Sequence, residues 1–283
     1  MAPTAVFRAG ANALITGGAS GVGLAVAKLC ASHGMNVHLA DVNKTKLEEA
    51  KSAISSSSEG SVSVHELDVS NEFAWKSLRE SLQKSSTTLD LLHLNAGIGA
   101  NASWSDTSYF HKIFDTNFFG VVNGISTFLP DFQGEQSEQK SIIITGSKQG
   151  ITNPPGNPAY NASKSAIKTI AEHLSFDLSK SSPKTSVHLL VPGWTFTGLT
   201  GGGKTTTKPD GAWAPEQVAD YLYQKMNDGK FYVICPDNDV DWETDRKRMT
   251  WAMGDIVYER QALSRWRDDS KDESKKGIEN LKL

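Results

Sequence analysis

Thr16-Gly17-Gly18-Ala19-Ser20-Gly21-Val22-Gly23 is the stretch on which the reading of this chain turns. Ahead of it Ala13, Leu14 and Ile15 form a short apolar run, and behind it residues 21–32 carry a helical apolar pattern. Glycines between a strand and a helix permit a tight turn and let the backbone come close to another group. The start of the helix presents unpaired N–H groups and the positive end of the helix dipole, which together suit a pyrophosphate. A glycine repeat alone is a weak signal. The strand before it and the helix after it, within a βαβ unit, give it weight.

Working outward, short apolar runs alternate with longer amphipathic ones. Residues 13–15, 37–40, 62–64, 89–94, 141–145, 186–191 and 231–234 read as strands. Residues 21–32, 44–54, 72–83, 109–129, 160–179 and 215–227 read as helices. Strands separated by helices make βαβ units, so the sheet should be parallel and covered on both faces. Right-handed crossovers then give an α/β, doubly wound parallel sheet. Helix starts are marked by Asn71 before Glu72, by Ser105 or Asp106, and by Pro215 with Glu216. Residues 55–58 read as a surface turn, and 201–207 as a loose Gly/Thr stretch after the sixth strand. Past residue 237 the alternation stops. Residues 242–260 predict a charged helix in which Trp251 and Met253 do not share a narrow stripe. Residues 268–283 are nearly all polar and are expected to fray.

The chain has 283 residues, a net charge of −3 and an apolar fraction of 38%. The length suits one domain at the upper end of the usual size, and the polar tail accounts for part of the modest apolar share. So small a charge gives no electrostatic case for nucleic acid or an anionic membrane. No apolar window approaches the length of a membrane span, and residues 1–11 do not read as a signal peptide, so the cytoplasm is the expected compartment. Cys30 and Cys235 are too few for a disulfide framework or a metal cluster. They read as reduced, buried thiols, and no metal is expected.

Asp41 ends the second strand, 18 residues after Gly23. A carboxylate there accepts hydrogen bonds from adenosine ribose hydroxyls and repels a 2′-phosphate. No Arg or Lys lies in the glycine turn, and Val42 follows Asp41. These features favour NAD(H) over NADP(H); an ordinary turn aspartate is the alternative. Tyr160 and Lys164 stand at i and i+4 of a predicted helix and share one face. A free phenol has a pKa near ~10, too high for a base at neutral pH. A nearby ammonium, helped by an oxidised nicotinamide, is expected to lower it. A bare pair at this spacing arises by chance in many helices, so its company matters. Ser147 follows the fifth strand, 13 residues before Tyr160, at the carboxyl edge of the sheet where ligands bind. Asn95-Ala96-Gly97 ends the fourth strand at the same edge. Asn117 lies mid-helix, where asparagine has poor propensity; a functional role competes with a plain surface asparagine.

With these motifs assembled, the chain resembles the short-chain dehydrogenase/reductase family over about residues 11–234. The matching positions are 16–23, Asp68, 95–97, Asn117, Ser147, Tyr160 with Lys164, and Pro192-Gly193 with Thr197. The resemblance implies a Rossmann fold over residues 1–236, with a substrate loop at 198–214 and a C-terminal helical extension at 237–283. It implies that Gly17, Ser20, Gly21, Val22 and Gly23 hold the dinucleotide, and that Asp68 and Val69 contact adenine. Asn95, Ala96 and Gly97 would stabilise the sheet beside the cofactor. Pro192, Gly193, Trp194, Thr195 and Thr197 would line the nicotinamide. Tyr160 would be the general acid/base, Lys164 would bind the nicotinamide ribose, Ser147 would orient the substrate oxygen, and Asn117 would hold a relay water. Two departures stand out. Lys148 and Gln149 follow Ser147 and are read as pointing toward substrate, and the chain runs past the family's usual end.

The implied reaction interconverts a secondary alcohol and a ketone, with hydride passing to or from NAD and the proton through Tyr160. Trp104, Phe110, Trp194, Phe196 and Trp213 fall near the expected substrate edge, which suggests a hydrophobic or aromatic small-molecule substrate; packing of the core is the alternative. Gln149 and Trp194 are the further candidate substrate contacts. Residues 201–208 are expected to act as a lid. A homodimer or homotetramer is implied. Two other readings keep the fold: an NADPH-dependent ketoreductase of biosynthetic metabolism, and a dinucleotide-binding protein that performs no redox step or acts as a regulator.

Overall fold

The computed structural model describes residues 2–55, 59–99, 104–201 and 207–283. Among the described residues seven strands are present: β1 (Asn12–Thr16), β2 (Asn36–Asp41), β3 (Val62–Glu66), β4 (Leu91–Leu94), β5 (Lys140–Thr145), β6 (Thr185–Val191) and β7 (Tyr232–Ile234). All pair in parallel, in the order β3-β2-β1-β4-β5-β6-β7. The helices between and after them are α1 (Gly21–Ser32), α2 (Lys44–Ser55), α3 (Glu72–Lys84), α4 (Thr107–Phe114), α5 (Gly120–Phe128), α6 (Gln149–Thr152), α7 (Pro158–Ser181), α8 (Pro215–Asn227), α9 (Trp242–Val257) and α10 (Lys271–Asn280). This is the doubly wound Rossmann sheet that the alternation of strand and helix predicts.

Alternate residues of a strand face opposite sides of a sheet, and the two cores follow that rule. Ala13, Ile15, Val37, Leu39 and Ile143 pack with Leu47 and Ile54 of α2 and Val218 and Leu222 of α8. Leu14, Leu92, Ile142 and Ile144 pack on the other side with Trp75 of α3, Phe128 of α5 and Ile167 of α7. Strands buried on both faces read as continuous apolar runs, which is why β5 is Lys-Ser-Ile-Ile-Ile-Thr. Cys30 and Cys235 are free and buried, and burial pushes both thiols up to about 12. No helix among the described residues is long and apolar enough to cross a membrane.

Two expectations give way. The predicted helix 109–129 is helical from residue 107 to 128 but not α-helical throughout: α4 and α5 are joined by a π-helical turn, Asp115–Phe119. The extra residue in that turn carries Asn117 into the interior, where it has no exposure, so it is not a surface asparagine. The tail is not frayed either. Trp251 of α9 is buried, while Met253 stands exposed. A Cβ on Gly277 of α10 would lie 1.9 Å from Trp251 Cζ3, so the indole packs flat where that side chain is missing. The indole Nε1 donates to Ser264 Oγ at 2.8 Å, and the Arg260 guanidinium lies 3.7 Å from the ring centroid. The only buried residue of α10 is Ser274, so it has no apolar stripe for a sequence pattern to report. The 55–58 turn falls largely outside the described residues, as does the lid expected at 201–208, of which 202–206 are not described.

Candidate functional site

Strand order reverses between β1 and β4, and a cleft opens there at the carboxyl ends of the strands. Thr16, the last residue of β1, ties the two strands together. Its Oγ1 accepts from the N–H groups of Asn95 at 2.9 Å and Ala96 at 3.1 Å, and its carbonyl accepts from Asn95 Nδ2 at 3.1 Å. A Cβ on Gly23 would stand 2.3 Å from the Gly17 carbonyl oxygen, so only glycine lets α1 start this close to the turn. Ser20 precedes α1 in an extended conformation, and no side chain caps the helix. The first-turn N–H groups are therefore left for an anion in the cleft.

At the end of β2, Asp41 is half-buried and turned toward the glycine turn. Its carboxylate accepts from Ala19 N–H at 3.3 Å and from Asn43 N–H at 3.1 Å. Asp68 spends one oxygen on its own turn, accepting from Ser70 N–H and Oγ at 2.9 and 2.7 Å. An uncapped helix start, a glycine turn and a ribose-side carboxylate on adjacent strand ends fit a dinucleotide. The cleft has a volume of about 990 Å³. Gly17, Ser20, Gly21, Val22, Asp41, Asp68, Val69, Asn95, Ala96, Gly97, Ser147, Gln149, Tyr160, Lys164, Pro192, Gly193, Trp194, Thr195 and Thr197 all line it. Gly23 and Asn117 do not; they support it from behind.

Tyr160 and Lys164 are carried on α7, whose start is set by Pro158 at its first position and by Asn157, whose Oδ1 accepts the Tyr160 N–H at 3.4 Å. Both side chains are buried. Lys164 Nζ donates to the Thr145 carbonyl at 2.9 Å and lies 5.9 Å from the Tyr160 ring centroid. Ser147, whose Oγ accepts the Gln149 N–H at 3.2 Å, lines the cleft with Tyr160. The expectation of a lowered phenol pKa is not met in the protein alone. Burial raises it above the usual value, the Ser147 hydroxyl pulls it back in part, and Tyr109 adds a smaller push upward. The ammonium points at a carbonyl rather than at the phenol oxygen, and desolvation outweighs it. Burial also brings Lys164 down to about 8.

Asn117 braces this corner. Its Oδ1 accepts from Ile98 N–H at 2.8 Å, and its Nδ2 donates to the Ile98 carbonyl at 3.0 Å and to Ser163 Oγ at 3.2 Å. Thr145 is a residue that sequence reasoning missed. Its Oγ1 bonds Asn95 Oδ1 at 3.1 Å and His93 Nε2 at 2.9 Å, while its carbonyl receives Lys164. Leu199 is another: it lines the cleft, and a Cβ on Gly99 would meet it at 3.3 Å and Tyr160 at 3.5 Å. Neither residue carries a motif signal. Of the five aromatic residues expected near substrate, Trp194 alone lines the cleft. Trp104 stacks on Phe110 at 5.7 Å, and Trp213 packs against Tyr221 and the core. Lys148 also departs from expectation. It lines the cleft, but its ammonium is engaged by Asp245 at 2.6 Å and Asp237 at 3.5 Å.

The family model of short chain dehydrogenases matches residues 11–207. An uncharacterised oxidoreductase of Listeria innocua is 32% identical over 181 residues, 63% of this chain and 72% of that protein. A cyclopentanol dehydrogenase of Comamonas testosteroni is 32% identical over 168 residues, 59% of this chain and 66% of that protein. The chain thus spans 72% and 66% of the length of these two curated relatives. A crystal structure of a short-chain dehydrogenase/reductase from Burkholderia phymatum in complex with NAD superposes with a TM-score of 0.78 at 26% identity, covering 89% of this chain and 96% of that one. A family match of this extent, on a seven-stranded parallel sheet with the glycine turn at its switch point, makes the chain an oxidoreductase of the short-chain dehydrogenase/reductase family.

Proposed function

We propose that the chain is an NAD(H)-dependent enzyme that interconverts a secondary alcohol and a ketone on a hydrophobic small molecule. One observation carries the reading: the Ser147 hydroxyl, the Tyr160 phenol and the Lys164 ammonium meet at one end of a cleft whose other end holds Asp41 and the uncapped start of α1. When bound, a nicotinamide dinucleotide supplies the hydride acceptor or donor. Gly17, Ser20, Gly21 and Val22 would hold its pyrophosphate at the helix start, Asp41 its adenosine ribose, and Asp68 with Val69 its adenine. Asn95, Ala96, Gly97, Pro192, Gly193, Thr195 and Thr197 would shape the nicotinamide side, and Lys164 would hold the second ribose. Ser147 fixes the substrate oxygen, Tyr160 takes or returns its proton, and Asn117 keeps the Ile98 segment and α7 in register behind them. Gln149, Trp194 and Leu199 are the groups placed to touch the rest of the substrate. The Comamonas cyclopentanol dehydrogenase supports an alicyclic or similarly apolar alcohol.

Asp41 and the absence of Arg or Lys from the glycine turn support NAD(H); a carboxylate there repels a 2′-phosphate. Residues 1–236 are proposed as the dinucleotide-binding domain and 237–283 as its helical extension. Exposed Phe119 and Phe176, beside α5 and on α7, support a homodimer or homotetramer, which sedimentation of the full chain decides. We place the protein in the cytoplasm, and imaging of a tagged chain elsewhere in the cell would overturn that.

The test is NADH formation across a panel of secondary alcohols by wild type and Tyr160→Phe. Loss of the phenolic proton should lower kcat/KM by about 10²–10⁴-fold with NADH affinity unchanged. Equal activity of the two would remove Tyr160 from the reaction. Tighter binding of NADPH than of NADH would show that Asp41 has been misread.

A further inference from the structure

The Ser147 turn is held from behind by charged groups that the proposed reaction does not use. Lys148 Nζ lies 2.6 Å from Asp245 Oδ2, on α9, and 3.5 Å from Asp237 Oδ2, beyond β7. The side chains of Lys148, Asp237 and Asp245 are 17%, 6% and 4% exposed, so the charges face one another and not water. Asp237 uses its other oxygen to accept from Asp239 and Val240 N–H at 3.1 and 2.9 Å. Its Oδ2 also accepts the Trp194 N–H at 3.0 Å. A Cβ on Gly193 would stand 2.7 Å from Asp237 Oδ2 and 3.0 Å from Lys148 Nζ, so the pair is packed directly beneath the Gly193–Trp194 backbone. Burial raises the carboxyl of Asp245 above its usual range, the Lys148 hydrogen bond and charge pull it back in part, Asp237 adds a push upward and Arg248 a smaller pull downward.

The far end of the same segment is gripped as well. Trp266 Nε1 donates to the Thr152 carbonyl at 3.2 Å, and Thr152 Oγ1 donates to the Lys148 carbonyl at 3.0 Å. Between the two grips, Gly150 lies against α7, where a Cβ would come within 2.6 Å of the Lys164 carbonyl carbon. Residues 148–152 are thus sandwiched between the C-terminal extension and the turn of α7 that carries Lys164.

We propose that Lys148, Asp237 and Asp245 form a positioning clamp through which the segment beyond residue 237 keeps Ser147 and Trp194 in register with Tyr160 and Lys164. The proposal rests on the function given above and adds residues to it. Two turns on different strands, after β5 and after β6, are anchored to one pair of carboxylates, so neither can shift without the other. Removing one partner of a buried ion pair leaves an uncompensated charge, which makes the arrangement stiff. Misplacing a positioning group by an ångström costs catalysis on the order of 100-fold. The ammonium is spent on this contact, so Lys148 does not recruit an anionic substrate.

The test compares full-length wild type with Lys148→Met, Lys148→Arg and Asp245→Asn. Steady-state kinetics, NADH binding and backbone hydrogen exchange are measured on each. In Lys148→Met and Asp245→Asn, exchange should rise in residues 146–153 and 192–197, and kcat should fall by about tenfold or more. NADH affinity should fall by less than kcat does, because the glycine turn and Asp41, which would hold the rest of the dinucleotide, lie away from the clamp. Lys148→Arg should recover most of the loss. Where Lys148→Met gives no folded protein, Asp245→Asn and Lys148→Arg carry the comparison. Unchanged exchange in both segments overturns the clamp whether or not the chain is active. Raised exchange with undiminished kcat overturns its positioning role. A wild type inactive on every alcohol counts against the proposed function instead, and the exchange result then decides the clamp.

Discussion

Replacing Asn117 by alanine tests how much of the site is held by one buried amide. The side chain makes three hydrogen bonds: from Ile98 N–H, to the Ile98 carbonyl and to Ser163 Oγ. Each is worth about 0.5–1.5 kcal/mol net. Ile98 is only half-buried, so water can satisfy its backbone once the amide is gone. Ser163 keeps its donated bond to the Tyr160 carbonyl at 2.8 Å. With that relief, the expected loss is about 2–3 kcal/mol, or a fall of about 3–6 °C in the melting midpoint for a chain of this size. Urea unfolding followed by tryptophan fluorescence measures it. Asn123→Ala, which removes one bond of 3.2 Å to the Val69 carbonyl, serves as the comparison and should cost about 1 kcal/mol or less. A loss for Asn117→Ala below about 1 kcal/mol, or no larger than for Asn123→Ala, would refute the bracing role derived from these bonds.

Three further outcomes are expected. Gly277→Ala puts a Cβ into the Trp251 indole, so α10 should undock, with faster hydrogen exchange over residues 271–280 and a cost of about 1–3 kcal/mol; unchanged exchange there would show that the tail is not held by this contact. Burial holds His38 down to about 4 and His93 to about 3. As pH falls below the unfolded value of about 6.5 the unfolded chain takes up protons first, so stability is lost from there down to the folded values. His38→Gln should flatten the plot of urea midpoint against pH in that window, and an unaltered slope would count against a neutral buried imidazole. Lys164, brought down to about 8, binds fewer protons folded than unfolded as pH rises toward its ordinary value of 10.5. Lys164 therefore adds stability across that interval, against the raised Cys30 and Cys235 thiols, which remove it above about 9. The stability of wild type minus that of Lys164→Met should rise with pH there, and a flat difference would assign no part of the profile to Lys164.

The strands and helices were legible because their signals are local. Apolar runs of period 2 or none, helical stripes, and caps such as Asn71 and Pro215 act within a few residues, and α1 and α8 begin and end where the pattern says. The π turn was not legible, because inserting one residue at 115–119 leaves the apolar spacing nearly unchanged while turning Asn117 inward. The order of the tail was hidden for a different reason. One residue that α10 contributes to its contact with α9 is a glycine facing Trp251, and a missing side chain has no hydrophobic period.

The glycine turn, Asp41, Ser147 and the i, i+4 pair of Tyr160 and Lys164 could all be named from the chain as a string of letters, since turn chemistry, helix geometry and strand ends are short-range properties. Where Lys148 spends its charge could not, because its partners Asp237 and Asp245 stand far along the chain and meet it only after β7 and α9 have docked. The same holds for the direction of the Tyr160 shift. A pKa is a sum over every neighbour and over all the water removed, and folding alone determines how much water is left.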